Sequence, residues 1–108
     1  MTDPFFEGQT AVVTGAGGTL CSEIAKELAR RGAKVALLGR TSATLERVAE
    51  EIAAAGGTAL PLAADVTDAA AVERARQTVT ERLGPCRFLL NGAGGNQAVA
   101  TTTTTVFD

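Results

Sequence analysis

The sequence predicts an α/β domain built on a parallel β-sheet, and three observations predict it. Four short apolar runs lack polar alternation, which is typical of strands covered on both faces. Amphipathic helical patterns fill the intervals between these runs. The residues that follow the runs recur at intervals of 25 or 26 positions, the length of one strand, one helix and short loops. Repeated βαβ units of this kind form a parallel sheet with helices on both faces.

The first unit combines a strand over 11–13 with a helix over about 20–31. The strand sequence is Ala-Val-Val, which is apolar throughout. In the helix, Leu20, Ile24 and Leu28 fall on one face, and Gly32 ends it.

The second and third units follow the same plan. A strand over 35–38 leads to a helix over about 42–55, which a glycine pair ends. A strand over 59–64 leads to a helix over about 68–83, which a Gly-Pro pair ends. A last apolar run over 88–90 predicts the fourth strand.

Pro61 indicates the strand order. Proline inside a strand is tolerated mainly at the edge of a sheet, so the third strand is expected at an edge. The order 3-2-1-4 meets this condition, and it is the order of the Rossmann-type dinucleotide-binding fold.

Residues 92–108 show no such pattern, because a glycine-rich polar stretch is followed by the threonine run 101–105. We expect no strand here and an open side on the fourth strand, which proteins normally protect. We therefore interpret 1–108 as the N-terminal part of a single dinucleotide-binding domain, truncated after the fourth strand. On this interpretation 92–108 is a loop that leads to a missing second half. The alternative is a natural small protein whose tail covers its own edge.

A glycine-rich turn joins the first strand to the first helix. This placement brings the backbone against a pyrophosphate, which the free N–H groups of the helix start then bind. The hydroxyls of Thr14 and Thr19 are expected to add contacts. The residues that we assign to the pyrophosphate are Gly15, Gly17, Gly18, Thr19 and Leu20. A plain turn is the alternative, since turns need glycine in any case.

The end of the second strand indicates the cofactor type. NAD sites carry an acidic residue about 20 positions after the glycines, to bind the ribose hydroxyls. Neither Gly39 nor Arg40 is acidic, and the Arg40 guanidinium suits a 2′-phosphate. NADP is therefore the expected cofactor and NAD the second choice. The alternative is that Arg40 is a solvated side chain at a helix start.

The ends of the third and fourth strands complete the predicted crevice. Asp65 and Val66 are expected to bind adenine through the carboxylate and the backbone amide, although Asp65 could instead cap the next helix. Asn91, Gly92, Ala93 and Gly94 are assigned to the nicotinamide side. A purely structural role for Asn91 remains open.

Composition restricts the partners. The net charge is −2 without a basic cluster, so we expect no nucleic-acid partner. No apolar run reaches the length of a membrane span, and the N-terminus lacks signal-peptide features, so we expect no membrane partner and a cytoplasmic location. The chain has no histidine, and its two cysteines do not form a metal-binding pattern, so no metal is expected.

Three motifs together resemble the short-chain dehydrogenase/reductase family. They are Thr14-Gly15 before a helix, Asp65-Val66, and Asn91-Gly92-Ala93-Gly94, in order and at suitable spacing. Two departures stand out. The common pattern Thr-Gly-x-x-x-Gly-x-Gly would place glycines where this chain has Thr19 and Cys21, and Gly92 replaces a second asparagine. The glycine-rich turn together with 91–96 also resembles a branch described as D-mannonate oxidoreductase or fructuronate reductase.

The resemblance implies an oxidoreductase that transfers a hydride between a nicotinamide and a hydroxyl or carbonyl substrate, with a sugar acid as one candidate. The partner is then a small molecule, and the full-length protein is expected to be a homo-oligomer, a dimer or tetramer. The family's catalytic tyrosine, lysine and serine come from its second half. This chain has no tyrosine, so we assign no catalytic residue to it. The alternative function is a non-catalytic dinucleotide sensor or regulatory module.

Overall fold

The computed structural model describes residues 4–16, 18–65, 67–92 and 98–101. Every predicted helix and strand is present, with ends within two residues of the predicted ones. In chain order the elements are β1 (Thr10–Thr14), α1 (Thr19–Arg30), β2 (Lys34–Gly39), α2 (Ser42–Ala54), β3 (Thr58–Ala63), α3 (Ala69–Arg82), β4 (Cys86–Asn91) and β5 (Ala98–Thr101).

The sheet has the order β3-β2-β1-β4-β5, which confirms the predicted order 3-2-1-4 for the first four strands. These four strands are parallel to one another. Pro61 lies in β3 at one edge, opposite Leu37 of β2, as its missing N–H required.

Helices cover both faces, so the strands of the centre are buried on each side. Along β1, Ala11 and Val13 belong to the core cluster beneath α1 and α2, whereas Val12 belongs to the cluster beneath α3. Val12 and Val13 are both fully buried. Burying one such side chain stabilises the fold by about 1.5–3 kcal/mol. The helices have 12, 13 and 14 residues, and none in the described part of the chain is long and apolar enough to cross a membrane.

One expectation was wrong. We predicted a loop over 92–108 and an open side on the fourth strand, but β5 pairs antiparallel with β4 along that side. Phe88 lies opposite Thr101, and Asn91 lies opposite Ala98. Without β5, the outer edge of β4 would have backbone groups without hydrogen-bond partners. The valine and threonine of β5 favour extended structure, so this segment pairs with β4.

Candidate functional site

The four predicted strand exits meet at one edge of the sheet. Thr14 at the end of β1 lies opposite Leu38 of β2 on one side and Asn91 of β4 on the other. The end of β2 is likewise level with the end of β3. Gly15 and Arg40 follow directly on β1 and β2, and Asp65 lies two residues after the end of β3, so all three share the carboxyl edge of the sheet with Asn91. In open α/β sheets this edge is where ligands bind.

The turn after β1 is fixed to the neighbouring strand. Gly15 has a φ of 68°, a left-handed conformation that suits glycine. Ala16, which is fully buried, donates its N–H to the Leu38 carbonyl at 3.0 Å. The Gly18 N–H donates to the Gly15 carbonyl at 3.0 Å and closes the turn. Gly17, the other predicted glycine, lies outside the described residues.

Neither the backbone conformation nor the packing at position 18 requires a glycine. Its φ of −77° and ψ of 157° are ordinary extended values. A Cβ placed there would lie 3.4 Å from the Gly15 carbonyl oxygen, an ordinary contact. A missing side chain at this point therefore leaves the backbone open to a group from outside the chain.

Gly18 also caps α1 without a side-chain hydrogen bond, and the first turn of α1 has no acidic residue. The N-terminal end of this helix therefore keeps its partial positive charge, which favours an anion. Thr19 and Leu20 are exposed beside it, and Leu20 is 53% exposed although apolar. The arrangement fits a phosphate group bound by backbone N–H groups.

Arg40 lies between the end of β2 and the start of α2 and is exposed. Within the described ranges its guanidinium has no hydrogen bond or ion pair. Thr41, the N-cap residue of α2, provides no side-chain cap either. An exposed guanidinium without a hydrogen-bonded partner in the described ranges, beside an uncapped helix N-terminus, is suited to a phosphate.

The Asp65 side chain bonds to Thr67 in the loop and does not cap the next helix. Its Oδ1 accepts the Thr67 N–H at 2.9 Å and the Thr67 hydroxyl at 2.7 Å. These bonds, and more weakly the charge of Arg40, lower the pKa of the Asp65 carboxyl against the opposing effect of burial. The N-cap of α3 is Asp68, which accepts bonds from the N–H groups of Ala70 and Ala71. Val66 lies outside the described residues.

Thr14 joins the two central strands at the site. Its hydroxyl donates to the Asn91 Oδ1 at 2.8 Å and accepts the Gly92 N–H at 3.1 Å. The Gly92 N–H also approaches the Thr14 carbonyl, at 3.2 Å. We expected this hydroxyl to contact the phosphate, but Thr14 is only 4% exposed and its hydroxyl makes hydrogen bonds within the sheet instead. Ala93 and Gly94 lie outside the described residues.

A separate cleft of about 470 Å³ lies at the opposite end of the sheet. It is formed by the C-terminal parts of α1 and α2 and the starts of β2 and β3. Lys26 of α1 and Glu51 of α2 form an ion pair there. None of the predicted site residues lines this cleft, so its position gives no support to the nucleotide site.

Fold and site together define a Rossmann-type domain with a candidate ligand-binding crevice at the carboxyl edge of its sheet. The glycine-rich turn, the uncapped start of α1 and the arginine after β2 are its main features.

The chain belongs to the short chain dehydrogenase family, whose family model matches residues 9–108. An uncharacterised oxidoreductase of Bacillus subtilis (strain 168), UxuB, is 52% identical over 95 residues. That match covers 88% of this chain and 34% of the relative. An uncharacterised oxidoreductase of Haemophilus influenzae is 40% identical over 96 residues, covering 89% of this chain and 34% of the relative. The chain thus spans about a third of the length of these relatives.

Solved structures agree with this assignment. A provisionally assigned D-mannonate oxidoreductase from Haemophilus influenzae, crystallised with NAD, is 39% identical and superimposes with a TM-score of 0.80. The match covers 83% of this chain and 32% of that one. A metagenomic short-chain oxidoreductase in complex with NADP is 38% identical, with a TM-score of 0.74 over 78% of this chain and 38% of that one.

Proposed function

We propose that this chain is the cofactor-binding part of an NAD(P)-dependent oxidoreductase that acts on a hydroxyl or carbonyl group of a small molecule. The observation that carries the proposal is Gly18, which caps α1 without a side chain although its conformation and surroundings accept one. A glycine that the fold itself does not need fits a site where backbone must approach a pyrophosphate. The oxidoreductase names of the relatives support the same function.

Different parts of the crevice would bind different parts of the cofactor. The pyrophosphate would lie at the start of α1, where N–H groups and the helix dipole stabilise its charge. The nicotinamide would lie beyond β4, where the sequence is rich in glycine. The proposed pyrophosphate residues are Gly15, Gly17, Gly18, Thr19 and Leu20. The proposed nicotinamide-side residues are Asn91, Gly92, Ala93 and Gly94.

At the adenosine end, we propose that Arg40 binds a 2′-phosphate and that Asp65 and Val66 contact adenine. The exposed Arg40 guanidinium, which has no hydrogen bond among the described residues, supports NADP over NAD as the cofactor. The solved relatives include one with NAD and one with NADP, so both cofactors occur among proteins of this similarity.

A sugar acid is the substrate class we propose, with the likeness to the D-mannonate oxidoreductase as its support. The chain contains no tyrosine, and we assign the hydride-transfer chemistry to no residue of it. A homo-oligomeric state and a cytoplasmic location stay predictions from the sequence.

Calorimetry with NADPH and NADH on the full-length gene product tests the cofactor. Arg40→Asp should weaken NADPH binding about 10- to 100-fold, because charge-assisted hydrogen bonds contribute about 1.5–3 kcal/mol. NADH binding should change far less. Arg82→Asp, the same charge change at the C-terminal end of α3, is the matched control and should leave the affinities for NADPH and NADH unchanged.

Absence of binding by either dinucleotide would reject the proposed function. Unchanged preference in Arg40→Asp would reject only the role of Arg40. Binding without turnover of any sugar acid or other alcohol would favour the non-catalytic sensor over the enzyme.

A further inference from the structure

Gly39, the last residue of β2, is a glycine for a reason of packing. It is absent from the glycines with positive φ, so its backbone conformation would accept any residue. A Cβ at this position, however, would lie 3.1 Å from Cδ2 of Leu45 and 3.7 Å from its Cδ1 and Cγ. The first distance is shorter than the 3.5–4.0 Å at which carbon atoms attract each other best. A side chain at position 39 therefore requires Leu45 to move.

Leu45 has little freedom to move. It lies in the first half of α2, is fully buried, and belongs to the core cluster that also contains Val48 and Ile52. Its N–H donates to the Thr41 carbonyl at 3.2 Å, which fixes the backbone of this turn. Because packed interiors hold side chains in single rotamers, displacement of Leu45 costs free energy.

Position 39 matters because of where β2 ends. Position 39 lies about 20 residues after the glycine-rich turn. In Rossmann-type domains, an acidic side chain at this point binds the ribose hydroxyls of NAD. We infer that Leu45 is a specificity-determining residue that does not touch the cofactor: because it fills the space beside Gly39, it opposes a carboxylate at that position and leaves the 2′ position to Arg40. This inference rests on the proposed function, since it concerns the selectivity of the same crevice.

A double-mutant cycle on the full-length gene product tests the inference. Gly39→Asp supplies the carboxylate, and Leu45→Val removes the Cδ atoms that oppose it. In the Leu45→Val background, Gly39→Asp should shift the ratio of the NADPH and NADH dissociation constants about tenfold or more toward NADH. In the wild-type background the same substitution should shift the ratio at least about threefold less, because a displaced Leu45 offsets part of the gain. Equal shifts in the two backgrounds would overturn the inference.

Val48→Ala is the matched control, because it also shortens a buried side chain of α2 but does not supply any of the three atoms nearest to position 39. Combined with Gly39→Asp, it should give no larger shift toward NADH than Gly39→Asp alone. A shift as large as that with Leu45→Val would mean that a loosened core, not the space beside Gly39, controls the selectivity, and it would overturn the inference.

Thermal unfolding without cofactor provides a readout that does not depend on the proposed function. Gly39→Ala adds only the Cβ, so it should lower the melting temperature in the wild-type background and lower it less in the Leu45→Val background. Because the restriction that alanine places on the unfolded chain is the same in both backgrounds, equal changes in melting temperature with and without Leu45→Val would refute the packing argument itself. If this stability coupling is found but wild-type protein binds neither dinucleotide, the proposed function has failed and the specificity role falls with it, while the contact stands.

Discussion

Replacing Thr14 by valine tests whether the hydrogen bonds between β1 and β4 also position Asn91 and Gly92 for cofactor binding. Valine keeps the shape and the extended preference of threonine but removes the hydroxyl. In the native chain this hydroxyl donates to Asn91 and accepts from the Gly92 N–H, across the junction of β1 and β4. The hydroxyl oxygen also lies 3.4 Å from the Leu90 carbonyl oxygen, but its single proton serves one acceptor at a time. The substitution therefore loses two hydrogen bonds across this junction and leaves the packing volume nearly unchanged.

The magnitude follows from the partners that remain. A hydrogen bond contributes about 0.5–1.5 kcal/mol net, so two bonds set an upper bound of about 3 kcal/mol. The Gly92 N–H retains the Thr14 carbonyl at 3.2 Å, and the Asn91 side chain is exposed enough for water to replace its lost donor. We therefore expect a loss of about 1–2 kcal/mol. That corresponds to a fall in melting temperature of at least about 4 °C for a domain of this size.

Thr10→Val is the matched control, since Thr10 lies at the other end of β1 and is equally buried. Its hydroxyl donates to the Leu83 carbonyl at 2.8 Å, far from the carboxyl edge. Urea unfolding and NADPH calorimetry should show that both substitutions reduce stability and that only Thr14→Val also weakens dinucleotide binding. Unchanged stability in Thr14→Val, or an equal loss of affinity in Thr10→Val, would refute the reasoning.

Three further predictions concern the same edge. Gly15→Ala should reduce the free energy of unfolding by about 1–2 kcal/mol in urea titrations, because its φ of 68° strains a residue with a Cβ. Asp68→Ala should cost about 1 kcal/mol through loss of the α3 cap, and it should leave NADPH affinity in calorimetry unchanged. Asp65→Asn keeps the acceptor for Thr67 but removes the charge; since the native pKa of Asp65 is lowered, its stabilisation is present above about pH 4 and is lost as the pH falls through the native pKa. Unfolding measured from pH 7 to pH 2 should therefore show a wild-type advantage over Asp65→Asn that disappears in acid, and a constant difference would contradict this.

Much of the architecture could be predicted because local patterns and topology determine it together. Apolar runs with intervening amphipathic segments leave few arrangements, and Pro61 selects among them. The convergence of Gly15, Arg40, Asp65 and Asn91 then follows from parallel strands of similar length. Such reasoning needs only periodicity and turn residues.

The remaining features depend on side-chain contacts between distant positions. The Thr14 hydroxyl was placed at the phosphate because the sequence does not tell which way a hydroxyl turns, and it bonds to β4 instead. The contact between Gly39 and Leu45 depends on the angle at which α2 packs, which periodicity does not give. The sequence does not indicate the pairing of β5, because a four-residue segment with two alanines gives a weak strand signal unless an open edge is nearby.

The three helices begin at the same edge but differ in how they are capped, and this difference bears on the ligand. Asp68 caps α3 with its own carboxylate, whereas Gly18 and Thr41 provide no side-chain cap for α1 and α2. A lost cap hydrogen bond costs about 1 kcal/mol, and a glycine at the N-cap costs a few tenths of a kcal/mol. The two uncapped helices are those that the proposed pyrophosphate and 2′-phosphate would face, so the cofactor's own charges would complete them.

An acidic cap added at each helix tests this argument. Gly18→Asp and Thr41→Asp should each raise the free energy of unfolding by about 0.3–1 kcal/mol, since a carboxylate at a helix N-terminus is favourable. Gly18→Asp should weaken NADPH and NADH alike, because both carry the pyrophosphate. Thr41→Asp should weaken NADPH far more than NADH, because only NADPH carries the 2′-phosphate. If both substitutions stabilise the protein without weakening either dinucleotide, the uncapped helix ends are not the phosphate sites.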